Sequence, residues 1–396
     1  MTGQSFHKIG IVGSGRMGED IFYHLNDFDY SLVWVFRKQD LRDRALEKFN
    51  KKMTRLHKAG ALDDKTYHYK SEHTLMTMNQ EDLRGCDLII ETIIEDVGIK
   101  SMLFNQLDHV ANEDCIFVSN SSSIKPSRIC PDSERSDRFA GLHFFFPVRF
   151  NKFVEIIRTG HSSSQTLDIL KQFTAAIGKT ALVLPEKGAF ILNKAFIYTQ
   201  AQAFWALREN ILSFREIDAL IKKNLFAMGT FEFMDHVGLD VILSSAKNYM
   251  EDMEHKGFIS ITVEEVQKVV DKGHLGVKTG RGFYSYDKQS AGDEPVNLKP
   301  IRDEDRKNYE DELVKKLIGL YLNLAYDFVD KGYCTEPEIE EALKEYRGME
   351  KGPVTLGSEI GFGKVYDWLI HFYNQTGEKV FYPSPSLMKR AGSGKE

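Results

Sequence analysis

The sequence predicts a doubly wound α/β domain followed by two repeated, all-helical domains. Three observations lead there. A strand, a glycine turn and a helix open the chain. Short apolar runs then alternate with helical patterns up to about residue 186, the signature of a mostly parallel sheet. Beyond that point strand signals fade, and a helical pattern occurs twice. The bounds expected are 1–186 for a Rossmann-type nucleotide-binding domain, 187–290 for the first helical copy and 300–396 for the second.

His7 to Val12 is a short apolar strand that runs into Gly13-Ser14-Gly15-Arg16-Met17-Gly18. Ile21, Phe22 and Leu25 then mark a helix. In this setting Gly13 permits the tight turn, Gly15 lets a pyrophosphate approach the backbone, and Gly18 lets helix and strand pack closely. The helix N-terminus offers N–H groups to phosphate. A bare glycine turn is the plainer reading.

A second strand covers Ser31 to Phe36. Roughly 20 residues past the glycine turn, such domains place a carboxylate that holds the ribose diol of NAD. Phe36 stands there instead, followed by Arg37 and Lys38. This removes a group that would repel a 2′-phosphate and adds cations that could bind one. It points to NADP or to loosely held NAD; a solvated loop is the alternative. Residues 40–59 form a helix rich in cations, among them Lys48, Lys51, Lys52, Arg55 and Lys58. A basic face is usually only solvated, but beside a nucleotide site it could bind phosphate. Residues 63–82 read as irregular.

Cys86 to Thr92 has the composition of a buried parallel strand. A helix follows over 98–110, then a strand over 115–119 that ends in Asn120-Ser121-Ser122-Ser123. Polar residues at the carboxyl end of such a strand are where ligands bind, although a turn or helix cap also explains them. Strands over 139–145 and 153–158, a helix over 164–177 and a strand over 180–184 complete the domain. The two strands joined by the Pro147 to Lys152 turn can turn His143 and Glu155 towards each other. A histidine whose second nitrogen is held by a carboxylate is a positioned proton acceptor. A satisfied core histidine and a solvated glutamate are the plainer reading.

Residues 188–255 read as long amphipathic helices, with Asn193 inside the first. Residues 273–286 form a glycine-rich loop, and 288–305 a polar linker with Gly292, Pro295 and Pro300. The repeat then sets Phe214 to Val241 beside Glu336 to Val365. Near Lys315 the second copy lacks the counterpart of Asn193, so it reads as structural.

Net charge is −6 and the pI about 6.1, so no general basic surface invites nucleic acid or an anionic membrane. Cys86, Cys115, Cys130 and Cys334 have no metal-ligand spacing and read as reduced thiols. No metal site is expected. The N-terminus lacks a secretory signal and no apolar run reaches membrane-spanning length, so the expected location is cytoplasmic.

Together, GSGRMG, DLIIETIIED, SNSSSI, GLHFFFPV, KFVEIIR, GAFILNK, MGTFEFMDHVGLD and GHLGVKTGRGFYSYD resemble the L-3-hydroxyacyl-CoA dehydrogenase family over residues 7–287. The tail from about 305 resembles the second helical copy of its fused members. The resemblance implies that His143 is the general base, that Glu155 orients it, and that Ser122 and Asn193 hydrogen-bond the reacting oxygen and the thioester carbonyl. It also implies nucleotide contacts at Glu95, Lys100, Asn120 and Lys278, a CoA-phosphate grip by Lys52, Arg55 and Lys58, and a hydride exchanged with NAD. The duplicate could replace the partner of a dimer, giving a monomer; a homodimer is the alternative. Three departures are present: Phe36 for the acidic ribose residue, Phe146 for an asparagine, and Gly188-Ala189-Phe190 for PGF. They bear on cofactor choice rather than on proton transfer. A dehydrogenase of a free hydroxy acid and a non-catalytic nucleotide-binding relative are the other two readings.

Overall fold

The computed structural model describes residues 6–130, 134–286, 298–346 and 349–392. It divides into two compact units, Met1–Ala189 and Phe190–Glu396.

In the first unit, β1 (Lys8–Val12), β2 (Ser31–Val35), β3 (Thr74–Thr77), β4 (Leu88–Glu91), β5 (Ile116–Ser119), β6 (Phe139–Phe144), β7 (Phe153–Arg158) and β8 (Thr180–Pro185) form one sheet. The order is β3-β2-β1-β4-β5-β6-β7-β8. All neighbours are parallel except β6 and β7. The strands are apolar because both faces are covered. On one face, α1 (Arg16–Leu25), α2 (Gln39–Lys58) and α5 (Ser164–Ala176) bury Ile21, Phe22, Met53 and Phe173. On the other, α4 (Val97–Val110) buries Leu103, Phe104 and Leu107. The chain leaves β1 towards β2 on one side and returns as β4 on the other. That reversal opens a crevice at the carboxyl ends of the strands.

The stretch 63–82, expected to be irregular, holds the helix α3 (Asp64–Glu72) and the edge strand β3. The helix is polar on nearly every side, and Lys70 is its one buried residue, so it has no apolar period. Its start is fixed by Asp63, whose carboxylate accepts the Thr66 N–H at 2.7 Å.

The second unit is helical and contains both copies. The first comprises α6 (Ile191–Lys194), α7 (Ile197–Glu209), α8 (Phe214–Asn224), α9 (Thr230–Val237), α10 (Leu239–Met250) and α11 (Lys256–Val270). The second comprises α12 (Asp303–Asp330), α13 (Glu336–Tyr346), α14 (Pro353–Ile360), α15 (Phe362–Thr376) and α16 (Pro385–Gly392). Their local chemistry repeats. Ser213 and Glu216 form a capping box on α8, and Thr335 and Glu338 exchange the same bonds at the start of α13. Two residues further on, Asp218 accepts N–H groups at the start of α9, and Glu340 does so for α14. Gly238 and Gly361, with φ of 106° and 93°, make the turns that follow. The copies pack through α7 and α12, where Tyr321 stacks on Phe196 with centroids 5.9 Å apart.

Two expectations shift here. Asn193 does not lie inside a long helix; it sits on the single turn α6, separated from α7 at Ala195 and Phe196. Thr199 stabilises that break by donating to the Phe196 carbonyl at 2.7 Å. The linker 288–305 lies in its first part outside the described residues; after it, the chain enters α12 at Asp303. Among the described residues no helix is long and apolar enough to cross a membrane.

Candidate active site

The glycine turn follows β1. Gly13 has φ +125°, and a Cβ there would stand 2.5 Å from Thr92 Oγ1. A Cβ on Gly18 would stand 2.3 Å from the Gly13 carbonyl oxygen, so these two positions are closed to larger residues. Gly15 differs: nothing lies within 4 Å of the place a Cβ would occupy. Gly15 also caps α1 without a side-chain hydrogen bond to the first helix N–H groups. A backbone cradle of this kind fits a dinucleotide pyrophosphate. The Arg16 guanidinium lies 3.7 Å above the Phe146 ring, and Met17 packs against the core.

At the tip of β2, Phe36 is 3% exposed and its ring packs 4.5 Å from Trp34. Strand alternation turns both into the core. Phe36 therefore brings neither carboxylate nor polar side chain to the crevice, and Arg37 beside it is exposed.

Beyond β4 lies a buried charge network. Lys100 is 1% exposed and donates to the fully buried Glu91 at 2.6 Å; it stands 3.4 Å from Glu95. Glu91 also accepts from the Ser119 hydroxyl and the Ile93 N–H, each at 2.6 Å. Burial opposes ionisation of Glu95. The charge of Lys100 and the hydroxyls of Ser121 and Ser123 outweigh it and hold the carboxyl below its ordinary value. Asn120 pins the neighbouring strand by accepting the Phe144 N–H at 2.9 Å. Ser122 is half-buried on the same loop.

His143 lies directly opposite Glu155 in the antiparallel β6–β7 pair. Its Nδ1 is 2.8 Å from Glu155 Oε2, with the histidine 4% exposed and the glutamate fully buried. The Phe145 ring flanks the imidazole at 4.4 Å. The β6–β7 turn is held by Lys179, which donates to the Asn151 carbonyl at 2.7 Å, and by Asp20, which accepts the Val148 N–H. The carboxyl ends of β1, β4, β5 and β6 thus gather Gly13 to Gly18, Glu95, Lys100, Asn120, Ser122 and His143 at one edge of the sheet.

A cleft of about 800 Å³ lies between α1, α2 and the β6–β7 turn, lined among others by Lys48, Lys51, Lys52, Arg55, Arg149 and Phe150. Lys52 lies over the Tyr23 ring at 4.1 Å, and burial pulls its ammonium below the usual lysine range. Lys58 is exposed on the last turn of α2 and does not line the cleft. Arg149 and the exposed Phe150 escaped the sequence reading. Their signal was a cation and an aromatic one residue past the HFFFP stretch.

In the second unit, Asn193 donates from Nδ2 to the Tyr249 hydroxyl at 3.1 Å and accepts at Oδ1 from the Tyr346 hydroxyl at 2.6 Å. Lys278, on the glycine-rich loop, pairs with Asp240. Buried Asp235 anchors that loop by accepting the N–H groups of Phe283 and Tyr284.

The 3-hydroxyacyl-CoA dehydrogenase NAD-binding domain model matches residues 8–187, and the C-terminal domain model of that family matches 189–286 and 313–395. The chain belongs to the 3-hydroxyacyl-CoA dehydrogenase family. It is 31% identical over 282 residues to a 3-hydroxybutyryl-CoA dehydrogenase of Clostridioides difficile, covering 71% of this chain and all of that one. It is 30% identical over 285 residues to the human mitochondrial hydroxyacyl-coenzyme A dehydrogenase, covering 70% of this chain and 90% of that one. The crystal structure of an Escherichia coli 3-hydroxybutyryl-CoA dehydrogenase shares the fold over 99% of this chain and all of its own, with a TM-score of 0.85 at 21% identity. The shared fold therefore includes the second helical copy. As a family member the chain is an oxidoreductase with an NAD-binding domain.

Proposed function

We propose that this chain is an (S)-3-hydroxyacyl-CoA dehydrogenase that interconverts a 3-hydroxyacyl-CoA and a 3-oxoacyl-CoA. One observation carries the reading: a buried His143–Glu155 pair, 2.8 Å apart, at the sheet edge that also holds the glycine cradle. The bound dinucleotide supplies the hydride acceptor in oxidation and the donor in reduction. Glu155 occupies Nδ1 of His143, so Nε2 is the nitrogen that takes the 3-hydroxyl proton, or returns it in reduction. The carboxylate stabilises the imidazolium while it exists. Ser122 and Asn193 hydrogen-bond the reacting oxygen and the thioester carbonyl; the bond to the reacting oxygen lowers the energy of charge that develops there, and the bond to the thioester holds the substrate in place.

The cofactor is held by Gly13 to Gly18, Arg16, Glu95, Asn120 and Lys278, with the buried Lys100 acting through Glu95. With Phe36 turned inward and Arg37 exposed, no carboxylate at the tip of β2 selects against a 2′-phosphate. Use of NADPH alongside NADH follows from this. Lys52 and Arg55 grip the CoA phosphates, with Lys58 beyond the cleft. The duplicate helical copy takes the place of a partner, so the chain sediments as a monomer.

A smaller, free hydroxy acid is the second reading. It is favoured by the acidic partners that several cleft cations already have: Glu19 for Lys48, Glu47 for Lys51 and Asp27 for Arg149. Steady-state reduction of acetoacetyl-CoA and of free acetoacetate, each with NADH and NADPH, tests both readings. The proposal expects the thioester to be turned over with a much higher kcat/KM. Equal or better use of the free acid contradicts it, and failure to bind either reduced nucleotide in a fluorescence titration contradicts any dehydrogenase reading.

A further inference from the structure

The second helical copy has no counterpart of Asn193; its long helix α12 runs unbroken past Lys315. Yet its next helix, α13, ends at Tyr346, and that phenol donates to Asn193 Oδ1 at 2.6 Å. The other end of the same carboxamide donates to Tyr249, from α10 of the first copy, at 3.1 Å. Tyr249 is 7% exposed and its ring packs by Phe190, while the Tyr346 ring lies 6.1 Å from Phe196. Both phenols are therefore fixed by packing on separate helices.

The terminal torsion of asparagine is broad and roughly two-fold, so an unsupported carboxamide readily exchanges its N–H and C=O ends. An N–H directed at a thioester carbonyl binds it; a carbonyl oxygen in that place repels it. A carboxamide has two N–H groups and two oxygen lone pairs. The two phenols engage one of each and set the plane of the amide, which directs the remaining N–H.

We propose that Tyr346, supplied by the second helical copy, is a positioning residue for the reaction: with Tyr249 it holds the Asn193 carboxamide in the orientation that binds the substrate carbonyl. The duplicate is thereby part of the catalytic apparatus and not packing alone. This rests on the reading that Asn193 hydrogen-bonds the thioester.

The test uses the full chain, acetoacetyl-CoA and NADH, with Tyr346→Phe, Tyr249→Phe, Asn193→Ala and the Asn193→Ala/Tyr346→Phe double variant. Loss of one neutral hydrogen bond to the substrate lowers kcat/KM about 3- to 10-fold. Tyr346→Phe is expected to show that fall mainly as a higher KM for the thioester, with kcat within about twofold and an unchanged melting temperature, because its ring remains. In the Asn193→Ala background the same substitution changes kcat/KM no further. Should Tyr346→Phe melt early, Tyr249→Phe removes the other phenol from the same amide and carries the same expectation. An unchanged kcat/KM in both phenol variants, or an equal fall in the Asn193→Ala background, overturns the proposal. If Asn193→Ala alone keeps wild-type kcat and KM while His143→Gln is impaired, the placement of Asn193 at the substrate fails and this inference with it.

Discussion

Replacing Lys100 by methionine probes the frame on which the cofactor side of the site is built. The lysine is 1% exposed and its ammonium bonds the fully buried Glu91 at 2.6 Å. Methionine fills similar volume but removes the only positive charge described within 4 Å of Glu91. Glu91 would keep its bonds to Ser119 and Ile93 yet remain as an uncompensated buried carboxylate. Breaking a buried pair in this way costs about 3–5 kcal/mol. For a folding unit of this size, 1 kcal/mol shifts the midpoint by about 2–4 °C, so the transition falls by roughly 6–20 °C. Calorimetry of the full chain reads it, with denaturant titration at 25 °C as a check. The double variant Lys100→Met/Glu91→Gln removes both charges and should regain most of the loss. Its affinity for NADH stays reduced, because Lys100 no longer helps hold Glu95. A single variant within about 1 kcal/mol of wild type, or a double variant as unstable as the single, would refute this reasoning.

Three other predictions concern separate parts of the first unit. Gly15→Ala should melt like wild type, since its Cβ meets nothing, but bind NADH more weakly. Gly18→Ala should lose stability and binding together, because its Cβ stands 2.3 Å from a carbonyl oxygen; equal melting of the two variants contradicts the reading. Lys52→Glu/Arg55→Glu should raise the KM for acetoacetyl-CoA at least about tenfold, less so at high salt, with kcat nearly unchanged. An unaltered KM would remove these cations from the substrate site. Burial, aided by Lys179, holds the His24 imidazole below its ordinary 6.5, and Nε2 contacts the Ile177 carbonyl at 3.1 Å. Below that ordinary value the unfolded chain takes up a proton that the folded chain resists. Stability is therefore lost as pH falls from about 6.5, and His24→Gln should narrow the difference in melting temperature between pH 7.5 and 5.5.

The parts of the fold readable in sequence are those with strong periodicity or compelled backbone geometry. Apolar runs bounded by turns marked seven of the eight strands, because strands buried on both faces need continuous hydrophobicity. The helical repeat was readable because Glu216-Ile217-Asp218 recurs as Glu338-Ile339-Glu340, and Gly229 and Gly238 recur as Gly352 and Gly361. Edge strand β3 and polar helix α3 carry neither signal. The inward turn of Phe36 was latent in its strand alternation with Trp34. The break between α6 and α7 is held by the Thr199 hydroxyl donating to the Phe196 carbonyl, a local bond that no periodicity encodes. The hydrogen bond between Tyr346 and Asn193 joins residues 153 positions apart, beyond the reach of any local pattern.

The most direct measurement is the turnover of acetoacetyl-CoA by His143→Gln beside the wild-type chain, at saturating reduced nucleotide. Glutamine keeps a polar group opposite Glu155 but takes up no proton at neutral pH. The account predicts that kcat falls by about 10²–10⁴ while KM for the thioester changes little. Turnover within a fewfold of wild type would contradict it.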